Sequence, residues 1–195
     1  VLCRDFFAAY VRPDDAVLDL GAGWAEFTRN VVARDKYAMD LNPDTAERVA
    51  GHARFLHQDC SKPWPLAEGS LDVVFTSNFL EHLPDKAACD TVLKEVRRTL
   101  KPGGKFMILG PNIRYAYKEY WDYYDHYLPL SHLSLAEGLA QAGFDVERVI
   151  PRFLPFTMNS KMPTADVFVW AYLKIPLAWR ILGKQFLVVA RKPAA

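Results

Sequence analysis

The stretch LDLGAGWAEF, Leu18 to Phe27, reads as the end of a strand, a glycine turn and the start of a helix. Upstream, AVLDL (Ala16–Leu20) is a short apolar run that ends at glycine, the pattern of a buried parallel strand. Downstream, Trp24 to Ala33 has near-helical spacing, and YAMD (Tyr37–Asp40) is a second short strand. Asn42 and Pro43 then read as the N-cap and first position of a helix. Arg54 to Gln58 is a third strand, followed by Asp59, and Leu71 to Thr76 a fourth after the turn-rich stretch Ser61 to Ser70. The clearest helix is Pro84 to Leu100, with Cys89, Val92, Leu93, Val96 and Leu100 on one face and Lys101-Pro-Gly-Gly104 as its stop. Lys105 to Leu109 is a fifth strand. A capping box of Ser134 and Glu137 opens a helix over Ser134 to Ala142, and Phe144 to Ile150 and Gln185 to Ala190 are further strands. Alternating strands and helices predict an α/β fold, a parallel sheet covered by helices on both faces.

The 195 residues fit one domain, with a core of substantial size. The alternation breaks at Pro111–Ser131, crowded with aromatics, and at 151–183; both follow strands, on the edge where open α/β sheets bind ligands. Both are read as insertions that build an acceptor pocket. A formal net charge of +1 argues against a nucleic-acid partner. Cys3, Cys60 and Cys89 are odd in number, with no CxxC pair, which predicts reduced thiols and a cytoplasmic location. The chain starts at Val1, so its true N-terminus is expected upstream, and Val1 to Tyr10 has no targeting pattern. The apolar run Ala165 to Leu182 is interrupted by Asp166, Lys174, Pro176 and Arg180, too often for a membrane span. Its Val167–Leu182 part is expected to pack as a lid, with peripheral membrane contact or pairing in a homodimer as the alternatives.

Gly21 and Gly23 let backbone approach a ligand where a Cβ would clash. A dinucleotide fingerprint needs G-x-G-x-x-G, and the third glycine position is Glu26, whose carboxylate would face pyrophosphate. S-Adenosylmethionine carries no phosphate, and the negative charge of Asp19 suits its cationic groups. Asp40 lies at the end of the second strand, where a carboxylate accepts hydrogen bonds from ribose hydroxyls.

The order VLDLGAGWAEF, YAMDLNP, HQDC, LDVVFTSNFLEHL and LKEVRRTLKPGGKFMIL resembles the class I S-adenosylmethionine-dependent methyltransferases, of the small-molecule type that includes quinone-biosynthesis enzymes. A weaker likeness to polysaccharide-pathway and lipid-carrier methyltransferases runs from GPNIRY through DHYLPLSHLSLAEGL. The resemblance implies a Rossmann-like, doubly wound seven-stranded sheet, mostly parallel, with QFLVVARK as an antiparallel last strand. It implies S-adenosyl-L-methionine as cofactor, with S-adenosyl-L-homocysteine as product. Asp19, Gly21, Ala22 and Gly23 match the motif around the methionine moiety, with Ala25 where many members carry a third glycine. Asp40 and Leu41 match the ribose acid and its neighbour beside the adenine, and Asp59 and Cys60 match the residues at the adenine amino group and ring. Ser77, Asn78 and Phe79 match the segment lining the reactive centre.

Methyl transfer to a hydroxyl calls for a base. In YAYKEYWDYYDHY (Tyr115–Tyr127), His126 is the first candidate, with His82 of LEHL the second; Asp122 and Asp125 stand nearby. His126, His132 and the aspartates match no compact ligand spacing, so no metal is expected. The expected acceptor is a small molecule, a sugar or a lipid-linked intermediate. A non-catalytic cofactor-binding module is the alternative, opposed by the intact acids Asp19, Asp40 and Asp59. Ser77-Asn78-Phe79-Leu80 lacks the Asn/Asp-Pro-Pro-aromatic pattern of many nucleobase methyltransferases.

Overall fold

The computed structural model describes residues 1–156 and 165–194. Seven strands form one sheet in the order β3-β2-β1-β4-β5-β7-β6. They are β1 (Ala16–Leu20), β2 (Asp35–Asp40), β3 (Arg54–His57), β4 (Leu71–Ser77), β5 (Leu100–Pro111), β6 (Asp145–Ile150) and β7 (Gln185–Arg191). β1 through β5 pair in parallel, and β7 inserts antiparallel between β5 and β6. The expected topology is therefore found, including the antiparallel last strand. The chain order reverses between β1 and β4, so the C-terminal ends of these two strands flank the crevice where such sheets bind ligands.

Strand periodicity divides the core between two faces. Phe106 and Ile108 of β5 and Phe186 and Val188 of β7 point to one side, with Val92, Leu93 and Val96 of α4 (Lys86–Thr99) and Leu135 and Leu139 of α6 (His132–Gln141). Met107, Leu109, Leu187 and Val189 point to the other. There they meet Phe27 of α2 (Glu26–Asn30), Leu173 of α7 (Asp166–Lys174) and Trp179 of α8 (Pro176–Leu182). β1 and β7 are buried along nearly their whole length and are mostly apolar because both faces are covered. α7 and α8 cover the sheet as expected but leave Val167, Phe168, Trp170, Leu177 and Ile181 exposed. No helix among the described residues is long and apolar enough to cross a membrane.

Several boundaries differ from expectation, each for a local hydrogen-bonding reason. The helix after the glycine turn is only Glu26–Asn30, because Ala25 sits in the left-handed region (φ 61°) and forms its N-cap. Asn42 does not cap α3 (Thr45–Val49). Its Oδ1 accepts from the Asp44 amide at 2.9 Å, which makes an Asx-turn and moves the helix start past Pro43. The capping box lies one turn before the expected pair: Ser131 accepts from the Ser134 amide and Ser134 Oγ accepts from the Ser131 amide. A serine at N3 thus performs the return bond that sequence reading assigned to Glu137. The strand expected at Lys105–Leu109 extends in both directions to Leu100–Pro111. Of the second insertion, residues 157–164 lie outside the described residues.

Candidate active site

The glycine turn closes over the end of β2. The Gly21 and Ala22 amides donate to the Met39 carbonyl at 2.9 and 3.2 Å, which brings the turn against Asp40. Asp40 then accepts from the Gly23 amide through Oδ2 and from the Asn42 amide through Oδ1, each at 2.8 Å. Each carboxylate oxygen keeps lone-pair capacity for a further donor. Gly21 has φ 68°, and a Cβ built there would lie 2.6 Å from the Phe79 ring. The residue that opens the segment after β4 therefore packs directly on the turn that follows β1. Ala25 takes the left-handed backbone (φ 61°) and is buried with Ala22, Ala38 and Val49. Its buried methyl offsets part of the backbone cost of about 1–2 kcal/mol.

Two apolar side chains stand in solvent beside this turn, Leu41 at 65% exposure and Trp24 at 75%, the latter stacked under the Arg48 guanidinium at 4.1 Å. Asp59 Oδ1 accepts from the Ser61 hydroxyl and amide at 2.6 and 2.9 Å, which holds its carboxyl below the usual range; Oδ2 makes no hydrogen bond among the described residues. Burial pushes the Cys60 thiol up to about 12; the Asp40 carboxylate adds to that rise and the Gly21 backbone opposes it. Asp40, Leu41, Asp59, Cys60, Gly21, Ala22 and Gly23 are thus one neighbourhood: two acids with spare acceptor capacity beside exposed apolar surface. Those acceptors fit a ribose diol and an adenine amino group, both of which donate.

Asp19 lies deeper than expected for a ligand contact. It is 5% exposed, and its Oδ2 accepts from the Thr28 hydroxyl (2.6 Å) and amide (3.1 Å), which ties β1 to α2. Burial pushes its carboxyl up to about 7, against the pull of the Thr28 bonds. A carboxyl raised above its unfolded value stabilises the fold most when protonated. Its contribution is complete below about pH 4 and is lost as pH rises to about 7. Stability of the unliganded chain is expected to fall by up to about 4 kcal/mol across that window through this group. Asp19→Asn is expected to flatten the slope, read from urea midpoints at several pH values; an unchanged slope would assign it to other groups.

On the acceptor side, Ser77 ends β4, its Oγ accepting from Asn78 Nδ2 at 3.2 Å, and Asn78 has φ 48°. That turn launches a short 3-10 segment, Leu80–His82. The Glu81 carbonyl accepts from the Tyr127 amide (2.8 Å) and the Leu128 amide (3.0 Å), pinning the aromatic segment to the end of β4. His82 Nδ1 binds the Asp125 carbonyl at 2.9 Å and lies 3.2 Å from its carboxylate. These bonds bring together residues more than forty positions apart: the His82 and His126 ring centroids are 5.1 Å apart. His126 is 7% exposed, packed against Tyr120, Tyr123 and Phe156, and burial lowers its pKa. It is less accessible than a lone base needs.

Sequence reading missed Glu81. The side chain is 4% exposed, its Oε1 has no hydrogen-bond partner, and burial pushes the carboxyl up to about 8. Its signal was present: an acid between leucines in FLEHL, directly before the expected His82. His132 does not join the cluster; its Nδ1 pairs with Asn112 Nδ2 at 2.8 Å. Asn112, fully buried, also caps α5 (Ile113–Tyr120) and donates to the Pro151 carbonyl at 2.8 Å. It joins the starts of α5 and α6 to the end of β6. Asn112→Ala is expected to lower stability by about 2–4 kcal/mol, since a cap is lost and the buried His132 and half-buried Pro151 carbonyl are stranded. A urea midpoint equal to that of the wild type would show that the junction holds without it.

Residues 18–108 match the family model described as a methyltransferase domain. The chain is 28% identical over 123 residues to a sterol 4-C-methyltransferase of Caenorhabditis elegans, covering 63% of this chain and 35% of that protein. It is 33% identical over 135 residues to a protein of Mycolicibacterium smegmatis named "Probable S-adenosylmethionine-dependent methyltransferase", covering 60% and 51%. The chain thus spans about a third to a half of the curated relatives it matches. The crystal structure of a SAM-dependent methyltransferase from Archaeoglobus fulgidus superposes with a TM-score of 0.72 at 23% identity, over 98% of this chain and 91% of that one.

Proposed function

We propose that this chain, which belongs to the class I S-adenosylmethionine-dependent methyltransferases, transfers a methyl group to a hydroxyl oxygen of a small molecule, a sugar or a lipid-linked intermediate. S-Adenosylmethionine supplies a methyl group on a sulfonium, so the leaving group comes already activated. The work left to the protein is to align the acceptor and exclude water. Gly21, Ala22 and Gly23 would hold the cofactor's methionine end, Asp40 and Leu41 its ribose, and Asp59 and Cys60 its adenine. Ser77, Asn78 and Phe79 would line the reacting centre.

The observation that carries the oxygen acceptor is the cluster of Glu81, His82 and His126: Glu81 and His82 follow Phe79 by two and three residues, and His82 is bonded to the aromatic segment that carries His126. A hydroxyl must lose its proton to become a good nucleophile, and three titratable groups in one place serve that step. His82 and His126 act there with Glu81 rather than singly. The apolar face of α7 and α8 supports the lipid-linked end of the acceptor range, and the same face is where membrane or a second copy would contact the chain.

The test is release of S-adenosylhomocysteine across a panel of hydroxylated, amine and carbon-nucleophile acceptors. Turnover with hydroxylated compounds, with the product carrying a methoxy group, is expected. Turnover confined to amines or carbon nucleophiles would overturn the oxygen assignment and leave the family intact.

A further inference from the structure

We propose that Glu81, His82 and His126 form a binding site for one divalent first-row transition-metal cation. The inference deepens the reading above and rests on it for the cation's use, though not for its binding. One donor atom from each side chain lies within 4.8 Å of the others. A cation at about 2.0–2.2 Å from each ligand draws such donors to about 3–3.6 Å apart, a contraction that side-chain torsions supply.

Three features set this group apart from a chance meeting of polar side chains. First, Glu81 Oε1 and His126 Nδ1 are buried without a hydrogen-bond partner. A buried polar atom left unpaired is costly, and two of them on side chains that offer donor atoms within 4.8 Å of each other point to a missing common partner. Second, His82 is oriented from behind: Nδ1 is engaged by the Asp125 carbonyl and carboxylate. With the proton on Nδ1, Nε2 presents its lone pair, which is how ligating histidines are held by carboxylates. Third, the scaffold is fixed by backbone, since the Glu81 carbonyl takes both the Tyr127 and Leu128 amides on either side of the acceptor loop's return. The loop that delivers His126 is therefore locked to the turn that delivers the other two.

Two imidazoles and one carboxylate suit manganese, iron, cobalt or zinc better than magnesium or calcium, which favour all-oxygen sets. Three protein ligands also leave open positions for the acceptor's oxygen. A hydroxyl bound there loses its proton to solvent water far more readily than a free one. The acceptor class narrows accordingly, to compounds offering a hydroxyl with a neighbouring oxygen that together can chelate the ion.

The test is titration of the untagged full chain, stripped with chelator, with cobalt(II), reading visible d–d absorption, and with S-adenosylhomocysteine, reading heat. One cobalt per chain, with affinity reduced more than tenfold in Glu81→Gln and in His82→Ala, is expected, and S-adenosylhomocysteine affinity should stay within twofold in both. His82 is half-buried, so its variant keeps the test open if the Glu81 variant fails to fold. Absence of cobalt binding at millimolar concentration overturns the site. So does binding that both substitutions leave unchanged. If S-adenosylhomocysteine still binds in either case, the family reading stands while the metal site falls. Cobalt bound without S-adenosylhomocysteine would retain the site and remove the methyl-transfer use assigned to it.

Discussion

Replacing Asp40 by alanine is expected to weaken S-adenosylhomocysteine binding about 100-fold while leaving the sheet folded. The carboxylate stands at the end of β2 with Oδ1 and Oδ2 on the Asn42 and Gly23 amides, and is only partly buried. Two further bonds from ribose hydroxyls to an ionised acceptor, at about 1.5–3 kcal/mol each, account for that loss or more. The same change frees the Gly23 and Asn42 amides, so part of the effect comes from a loosened glycine turn. Asp40→Asn separates the two contributions. The amide retains one acceptor oxygen for the turn but removes charge, and its affinity should fall between those of the alanine variant and the wild type. Calorimetry on the three proteins checks this; an alanine variant with wild-type affinity would remove Asp40 from the cofactor site.

Gly21→Ala is expected to abolish detectable cofactor binding and to lower stability by about 2–4 kcal/mol. The positive φ costs an L-residue about 1–2 kcal/mol, and the new methyl meets the Phe79 ring at 2.6 Å, where no side chain can stay. Phe79 must move, and it opens the segment that carries Glu81 and His82. Gly23→Ala is a useful contrast. Its φ is 48°, but its nearest neighbour to a Cβ is the Gly21 carbonyl at 3.9 Å, so only the backbone term applies. In the double variant Gly21→Ala, Phe79→Ala the clash term disappears, and stability lost at the ring should be partly restored. Urea midpoints of the three variants, read against the wild type, test the ordering. A Gly21→Ala protein as stable as the Gly23→Ala protein would show that Phe79 yields freely.

The sheet was legible because its inner strands are largely buried and appear as short, mostly apolar runs that stop at glycine or aspartate, as AVLDL and YAMD do. Asp40 was legible for the same reason, being the polar residue at which such a run stops. Helix starts were less so. Asn42 and Ser134 are good caps by type, but side-chain bonds to Asp44 and Ser131 assign them other tasks. Asp19 was read as a ligand contact from its place before the turn, whereas its visible partner is Thr28 on the helix beyond. The acceptor side was least legible. His82 and His126 were each singled out, yet nothing in their spacing announces that Glu81's carbonyl anchors the segment between Asp125 and Leu128. That bond is made by backbone, which has no sequence signature. Glu81 was passed over although it adjoins His82, because a glutamate in a short turn reads as solvent-facing, and here it faces inward.

A calorimetric titration of the purified, folded chain with S-adenosylhomocysteine tests the central claim most directly. One-to-one binding with micromolar affinity, lost in Asp40→Ala and Gly21→Ala but kept in His82→Ala, is the expected result. A folded chain that takes up no S-adenosylhomocysteine would contradict the assignment of this sheet edge as a methyl-donor site.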